Sequence, residues 1–140
     1  MATCTNVGVS GANIPLNNVI PSGAFVFLEG FSQSAAQQTA QVMQGATVMA
    51  KIQSTAGNPS RMTPPSGFTD HFTAGPGPYT VTISNSGGQK SQVIVSFDAS
   101  TWGTSVFGAA FTFASEDTPN GGDCDFNDSV VTLGWTTKVG

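Results

Sequence analysis

Residues 79–97 read Y-T-V-T-I-S-N-S-G-G-Q-K-S-Q-V-I-V-S-F. Tyr79 to Ile83 alternates apolar and polar positions, and Gln92 to Phe97 does so again, the period-two signature of half-buried strands. Between them, Ser84-Asn-Ser-Gly-Gly88 collects residues that tolerate positive φ, so it reads as a hairpin connection. Working outward, Val106 to Ala114 and Ser129 to Trp135 supply two further strands. Upstream, Ala24 to Leu28 is a short Phe/Val run bounded by Pro21, Gly23 and Gly30. Thr39 to Met43 and Thr47 to Ile52 follow, separated by Gln44-Gly45. Short strands punctuated by Gly, Pro and Asn clusters predict an all-β chain folded as an antiparallel β-sandwich.

The 140 residues fit a single domain with one core. Ser34 to Met43 offers a competing helix, since Ala and Gln favour helices. It lacks a cap and runs straight into Gly45, so loop followed by strand is the better reading. Ala56 to Pro78 holds five of the eight prolines and reads as a long irregular surface excursion. His71 stands alone within it, with no second His or Cys nearby, and reads as a solvent-exposed side chain.

Charged residues make up 9% of the chain, against roughly 25% in ordinary globular proteins. Polarity comes instead from Ser, Thr, Gln, Asn and Gly, as in many surface-acting β-proteins. Lys51, Arg61, Lys90 and Lys138 are scattered, with no basic stripe to follow a phosphate backbone, so nucleic acid is excluded as a partner. No apolar run reaches the length of a membrane span, so membrane insertion is not expected. The N-terminus shows neither a basic start nor an apolar h-region. A cytoplasmic pool is therefore expected, with export or surface association by a route that needs no cleaved signal. Cys4 and Cys124 are too few for a disulfide framework and are expected to be free thiols.

Against this sparse charge, Ser115 to Asp128 reads S-E-D-T-P-N-G-G-D-C-D-F-N-D. Glu116, Asp117, Asp123, Asp125 and Asp128 are five of the eight acidic residues in the chain. No Lys or Arg lies among them, so they repel one another unless a cation sits between. Oxygen-only ligands of this hardness suit Ca²⁺, which takes six to eight of them. The carboxylates exceed what one Ca²⁺ needs, which points to two ions bridged by shared carboxylates. Two divalent ions also balance the formal net charge of −4. An EF-hand wants Gly at position six and Glu at position twelve, and here those are Asp128 and Gly134. The flanks are strands as well, so the loop is a β-connection in which Asp123, Asp125 and Asn127 face one side. Gly121-Gly122 lets the backbone turn between the two acidic groups.

Ser115-Glu116-Asp117, a spacer, and Asp123-Cys-Asp125-Phe126-Asn127-Asp128-Ser129-Val130-Val131 resemble the signature of the small bacterial two-calcium lectins that bind fucose and mannose. Trp135 and the final Gly140 continue the likeness. Upstream, Ile20-Pro21, Phe31, Gln33-Ser34-Ala35-Ala36 and Gln38-Thr39 resemble that family's first strand and its sugar-contacting loop. Gln33 stands where the family usually has Asn, and the Thr118 to Gly122 spacer is longer.

The resemblance implies that Glu116, Asp123, Asp125 and Asp128 hold one ion. It implies that Asp125, Asn127, Asp128, Gln33 and the Gly140 carboxylate of a neighbouring subunit hold the other. Sugar hydroxyls would coordinate both ions, with Asp117, Asp123, Asp125, Asp128 and Gly140 at the ligand. Ser34, Ala35 and Ala36 would line the rest. The resemblance further implies a homodimer or higher homo-oligomer with a monosaccharide or glycan ligand.

Three functions compete for this loop. A calcium-dependent lectin without catalytic activity leads. A structural or adhesive β-module, in which calcium only rigidifies the loop, is the alternative. A glycoside hydrolase needs one protonated carboxylic acid and one base, whereas carboxylates held on Ca²⁺ stay ionised, so no enzyme is expected.

Overall fold

A computed structural model describes residues 7–17, 19–57, 59–118 and 123–137. Among them eleven strands form and no helix: β1 (Val9–Ser10), β2 (Ile14–Pro15), β3 (Phe25–Ser32), β4 (Gln38–Gln44), β5 (Thr47–Gln53), β6 (Ser60–Met62), β7 (His71–Thr73), β8 (Thr80–Asn85), β9 (Gln92–Trp102), β10 (Ser105–Glu116) and β11 (Ser129–Thr136). Among the described residues no helix is long and apolar enough to cross a membrane. The larger sheet runs β1-β9-β10-β11-β3-β6, with β7 also on β3, and the smaller runs β2-β8-β4-β5. Every pairing is antiparallel. The expected sandwich is the observed one.

Register makes the core legible. Across the larger sheet, Phe111 pairs with Phe97 and Leu133, and Leu133 with Leu28. The next inward row joins Phe113, Val131 and Gly30. From the smaller sheet, Ala40, Val42, Ala50, Ile52, Val81 and Ile83 close on these rows. The alternate residues of β11, Val130 and Thr132, face away from the core, as a two-residue period demands.

Three features depart from the sequence reading. The Ser84 to Gly88 turn forms, with Gly88 donating to the Asn85 carbonyl at 2.9 Å. It joins no hairpin, however. Only Ser84 and Lys90 bridge, and the chain then crosses from β8 in one sheet to β9 in the other. The 56–78 excursion is not wholly irregular, because β6 and β7 pair with successive halves of β3 and cover its edge. Pairing gives those backbone groups partners that water would otherwise supply. Finally, Cys124 is disulfide-bonded, which corrects the expected free thiol. Sequence alone carries no information on Cα proximity, and proximity is what permits the bond. Cys4 lies outside the described residues.

Glycine has a packing role in β11. A methyl group on Gly134 would stand 2.3 Å from Cζ of Phe27, whose ring lies over it from β3. Gly134→Ala is expected to displace that ring and destabilise the fold by about 1–3 kcal/mol. Urea denaturation measures this, and an unchanged midpoint would contradict the packing.

Candidate metal centre

The end of β10, the start of β11 and the end of β3 meet in a row of serines. Ser115 pairs with Ser129, and Ser129 with Ser32, all fully buried. Small side chains let these strand ends close up, and their hydroxyls hold the departing loops. Ser115 and Ser129 share a hydrogen bond of 2.5 Å. Ser32 Oγ donates to the Asp128 carbonyl at 2.7 Å and accepts from the backbone N–H of Ser34 at 3.2 Å. The Asp128 carbonyl also receives the Gln33 N–H at 3.2 Å, while the Asp128 N–H donates to Ser115. Asp128 is thus anchored on both sides before its side chain is considered.

The acidic side chains form two groups, each with oxygens within 4.8 Å of one another: Glu116, Asp117 and Asp128, and Glu116, Asp123 and Asp125. Glu116 belongs to both. Asp125 and Asp128 fall in separate groups, and Glu116 is the common member. Glu116 is 2% exposed, and its Oε2 has no hydrogen-bond partner. A buried carboxyl oxygen without a partner is costly, and its neighbours are further carboxyl groups. At such separations each like-charge pair costs roughly 3–4 kcal/mol at an effective dielectric near 20. Protons or a cation must relieve it. The set is all oxygen and fits a hard divalent ion.

Asp128 registers the strain directly. Burial lifts its carboxyl most, and a side-chain hydrogen bond with Glu116, together with the Asp117 and Glu116 charges, lifts it further. The Asp117 N–H, donating to Asp128 Oδ2 at 2.8 Å, opposes them. The result is raised from 3.8 to about 7. Asp117 itself is held by the β3–β4 connection and the smaller sheet: its carboxylate accepts from Ser34 Oγ and from Gln38 Nε2, the latter at 3.1 Å. The Asp117 carbonyl accepts from Asn85 Nδ2 at 3.0 Å.

The 123–127 stretch lies outside any strand. Cys124 and Phe126 take φ of 62° and 54°, a left-handed conformation that costs non-glycine residues roughly 1–2 kcal/mol each. With these kinks, Asp123 and Asp125 lie together against Glu116. Asn127 donates its Nδ2 to Asp125 Oδ2 at 2.5 Å, which leaves its amide oxygen available. Asp123, Asp125 and Asn127 are exposed, so the site is buried at Glu116 and open above. Gln33 and Ala35 are also exposed, Ala36 is half-buried, and Ser34 is buried behind Asp117. Gly140, Gly121 and Gly122 lie outside the described residues. Sequence reasoning assigns no role to Ser32, Asn85, Ser115 or Ser129 as supports, and it treats Gln38 only as a point of resemblance.

The fucose-binding lectin II (PA-IIL) family model matches residues 18–137. The chain belongs to this lectin family. Solved lectins share its fold. The lectin CV2L of Chromobacterium violaceum, solved with α-methyl-fucoside, superposes with a TM-score of 0.63 at 21% identity, over 86% of this chain and 94% of that one. The high-affinity mannose-binding lectin of Ralstonia solanacearum gives 0.59 at 20% identity over 86% and 94%. The C-terminal domain of the lectin BC2L-C from Burkholderia cenocepacia gives 0.58 at 20% identity over 91% and 94%. Among curated protein sequences none matches. Lectins bind carbohydrate without transforming it.

Proposed function

We propose that this chain is a calcium-dependent lectin for fucose- or mannose-type monosaccharides, folded as one domain and bound to two Ca²⁺ ions that share a carboxylate. One observation carries the reading: the buried, unpartnered Oε2 of Glu116 at the junction of two oxygen-only groups, in a chain of a lectin family. Glu116 would serve both ions. Asp128, with Asp117 behind it, would complete one set, and Asp123 and Asp125 the other, with Asn127 and Gln33 contributing amide oxygens. Bound Ca²⁺ supplies coordination positions that vicinal sugar hydroxyls can fill. The chain's residues do the rest. The serine row and the Asn85 and Gln38 amides hold the carboxylates rigid, and exposed acidic oxygens accept hydroxyl protons in charge-assisted hydrogen bonds. A purely structural calcium module would have no need of a cluster open at Asp123, Asp125 and Asn127. A glycan array read in Ca²⁺ and again in EDTA tests the function. Fucose- and mannose-terminated spots should light only with calcium.

In the same reading, a partner subunit would contribute Gly140. Thr137 donates to the Phe107 carbonyl at 2.9 Å, at the end of β11 remote from Asp128. Eight strand residues cover roughly 25 Å, and three more reach at most about 11 Å. A Gly140 oxygen at the site would therefore come from a second copy, in a homodimer or larger homo-oligomer. A C-terminal tag is expected to weaken sugar binding while an N-terminal tag leaves it intact. Equal affinity of the two tagged proteins would defeat this part of the proposal.

A further inference from the structure

We propose that a disulfide from Cys4 to Cys124 sets the calcium affinity of the acidic loop, a proposal that rests on the calcium reading above. Cys124 is disulfide-bonded, and the chain holds one other cysteine, Cys4. Within the chain, Cys4 is therefore its partner.

Strand register gives that bond a short path. β1 lies against the start of β9, with Ser10 opposite Gln92, and Gln92 lies opposite Glu116 at the end of β10. A straight extension of β1 would carry Val7 along β9 to the level of Val95. Gly8 turns the chain instead, with a φ of 74° in the left-handed region that favours glycine. A Cβ on Gly8 would stand 2.0 Å from the Val93 carbonyl oxygen, so the turn is packed hard on β9. Gln92 Nε2 donates to the Val7 carbonyl at 2.6 Å, which keeps Val7 near the level of Glu116. Two strand spacings, about 10 Å, separate β1 from β10, and the three residues back to Cys4 reach up to about 11 Å. Glu116 in turn lies with the carboxylates of Asp123 and Asp125, the two neighbours of Cys124. The chain can close that gap.

The loop has need of such a tie. Asp123, Asp125 and Asn127 are exposed and lie outside any strand. Asp125 accepts from the Asn127 N–H at 3.3 Å and from its Nδ2 at 2.5 Å, bonds that stay inside the loop. Cys124 and Phe126 hold left-handed φ values, which an unrestrained chain would relax. Repulsion from Glu116 also pushes Asp123 and Asp125 outward while no ion is bound. Fixing Cys124 fixes both of its neighbours, so the two carboxylates are in place before calcium arrives. Preorganisation of this kind raises affinity by cutting the ordering cost of binding.

Reduction undoes it. A dithiol attacks the Cys4–Cys124 bond as a thiolate, passes through a mixed disulfide and closes to its own cyclic disulfide. Two electrons and two protons pass to the protein, leaving two cysteine thiols. The loop then binds calcium tightly in oxidising surroundings and weakly among the thiols of a reducing compartment. By linkage, calcium protects the bond by the same factor that the bond raises calcium affinity.

Calorimetric titration with Ca²⁺ alone compares the parent, the parent reduced with dithiothreitol, and Cys4→Ser, which leaves the loop sequence intact. The last two should bind calcium about 10- to 100-fold more weakly, the range for losing a support of a metal ligand. Equilibration with dithiothreitol, read by thiol alkylation and mass spectrometry, should find the bond harder to reduce in Ca²⁺ than in EDTA by a similar factor. Equal calcium affinity in oxidised and reduced protein overturns the strap, as does a reduction equilibrium indifferent to calcium. A doubled mass on a non-reducing denaturing gel also overturns it, since Cys124 would then pair with a second copy. So does loss of near-ultraviolet circular dichroism on reduction in Ca²⁺, because the bond would then hold the whole fold. Absence of calcium binding by the oxidised parent overturns the calcium reading itself, and the strap with it.

Discussion

Adding EDTA is expected to lower the melting temperature by roughly 10 °C, and the drop should be larger at pH 8 than at pH 5. Binding to the folded state alone stabilises by about 3 kcal/mol at a hundred-fold excess over Kd, which for a chain of this size is worth roughly 10 °C. The pH dependence follows from Asp128. Without metal its folded-state pKa stands at about 7, above the ordinary 3.8. The stability it contributes is therefore fully present below about pH 4 and is lost as pH rises through 7. In EDTA the protein should melt lower as the buffer goes from pH 5 to pH 8. Calcium reverses the trend, because its ligands must be deprotonated and protons compete with it at low pH. The gap between the two melting curves should widen with pH. A gap that narrows, or no effect of EDTA at either pH, would contradict the metal site.

Glu116→Gln is the second large effect. The amide keeps the shape of the side chain, so the β10 end should still form. The buried negative charge shared by both acidic groups is gone, and an NH₂ can now face the other carboxylates. Loss of calcium-dependent sugar binding should exceed the 10- to 100-fold typical of changes that only orient a metal ligand. In EDTA the variant should melt higher than the parent at pH 8, because one repelling charge has been removed. Lys51→Ala, whose ammonium lies over the Phe68 ring, should behave as the parent in sugar binding. Retained affinity in Glu116→Gln would show that the shared carboxylate is not central.

Much of the fold is legible because a sandwich writes its inner face into sequence as alternation. Tyr79 to Ile83 and Ser129 to Trp135 match their strands to within a residue or two. The strand from Phe25 runs on past Gly30 to Ser32, since pairing with β11 on one side and β6 on the other outweighs the weak strand preference of glycine. β6 and β7 are hidden because three-residue strands among prolines owe their form to the edge of β3, a tertiary effect. At Ser84 to Gly88 the composition correctly signals a turn and wrongly suggests a hairpin. Asn85 spends its side-chain oxygen on Gly87 and Gln89 and its amide on Asp117, which steers the chain to the other sheet.

The acidic loop stands out because its charge is concentrated in a charge-poor chain. Its supports do not, because Ser32, Gln38, Asn85, Ser115 and Ser129 are ordinary members of a Ser-, Gln- and Asn-rich composition. Only the register of three strands makes a row of three serines meaningful. The sharing of Glu116 is likewise invisible in spacing, since it depends on the kinks at Cys124 and Phe126.

Calorimetric titration of methyl α-fucoside and methyl α-mannoside into metal-saturated protein, with bound calcium counted by elemental analysis, tests the central claim most directly. The account predicts saturable binding of at least one of the two sugars with two calcium ions per chain, no heat after chelation, and full recovery when Ca²⁺ is restored. Equal binding in EDTA, or a calcium-free protein that binds neither sugar under any condition, would contradict it.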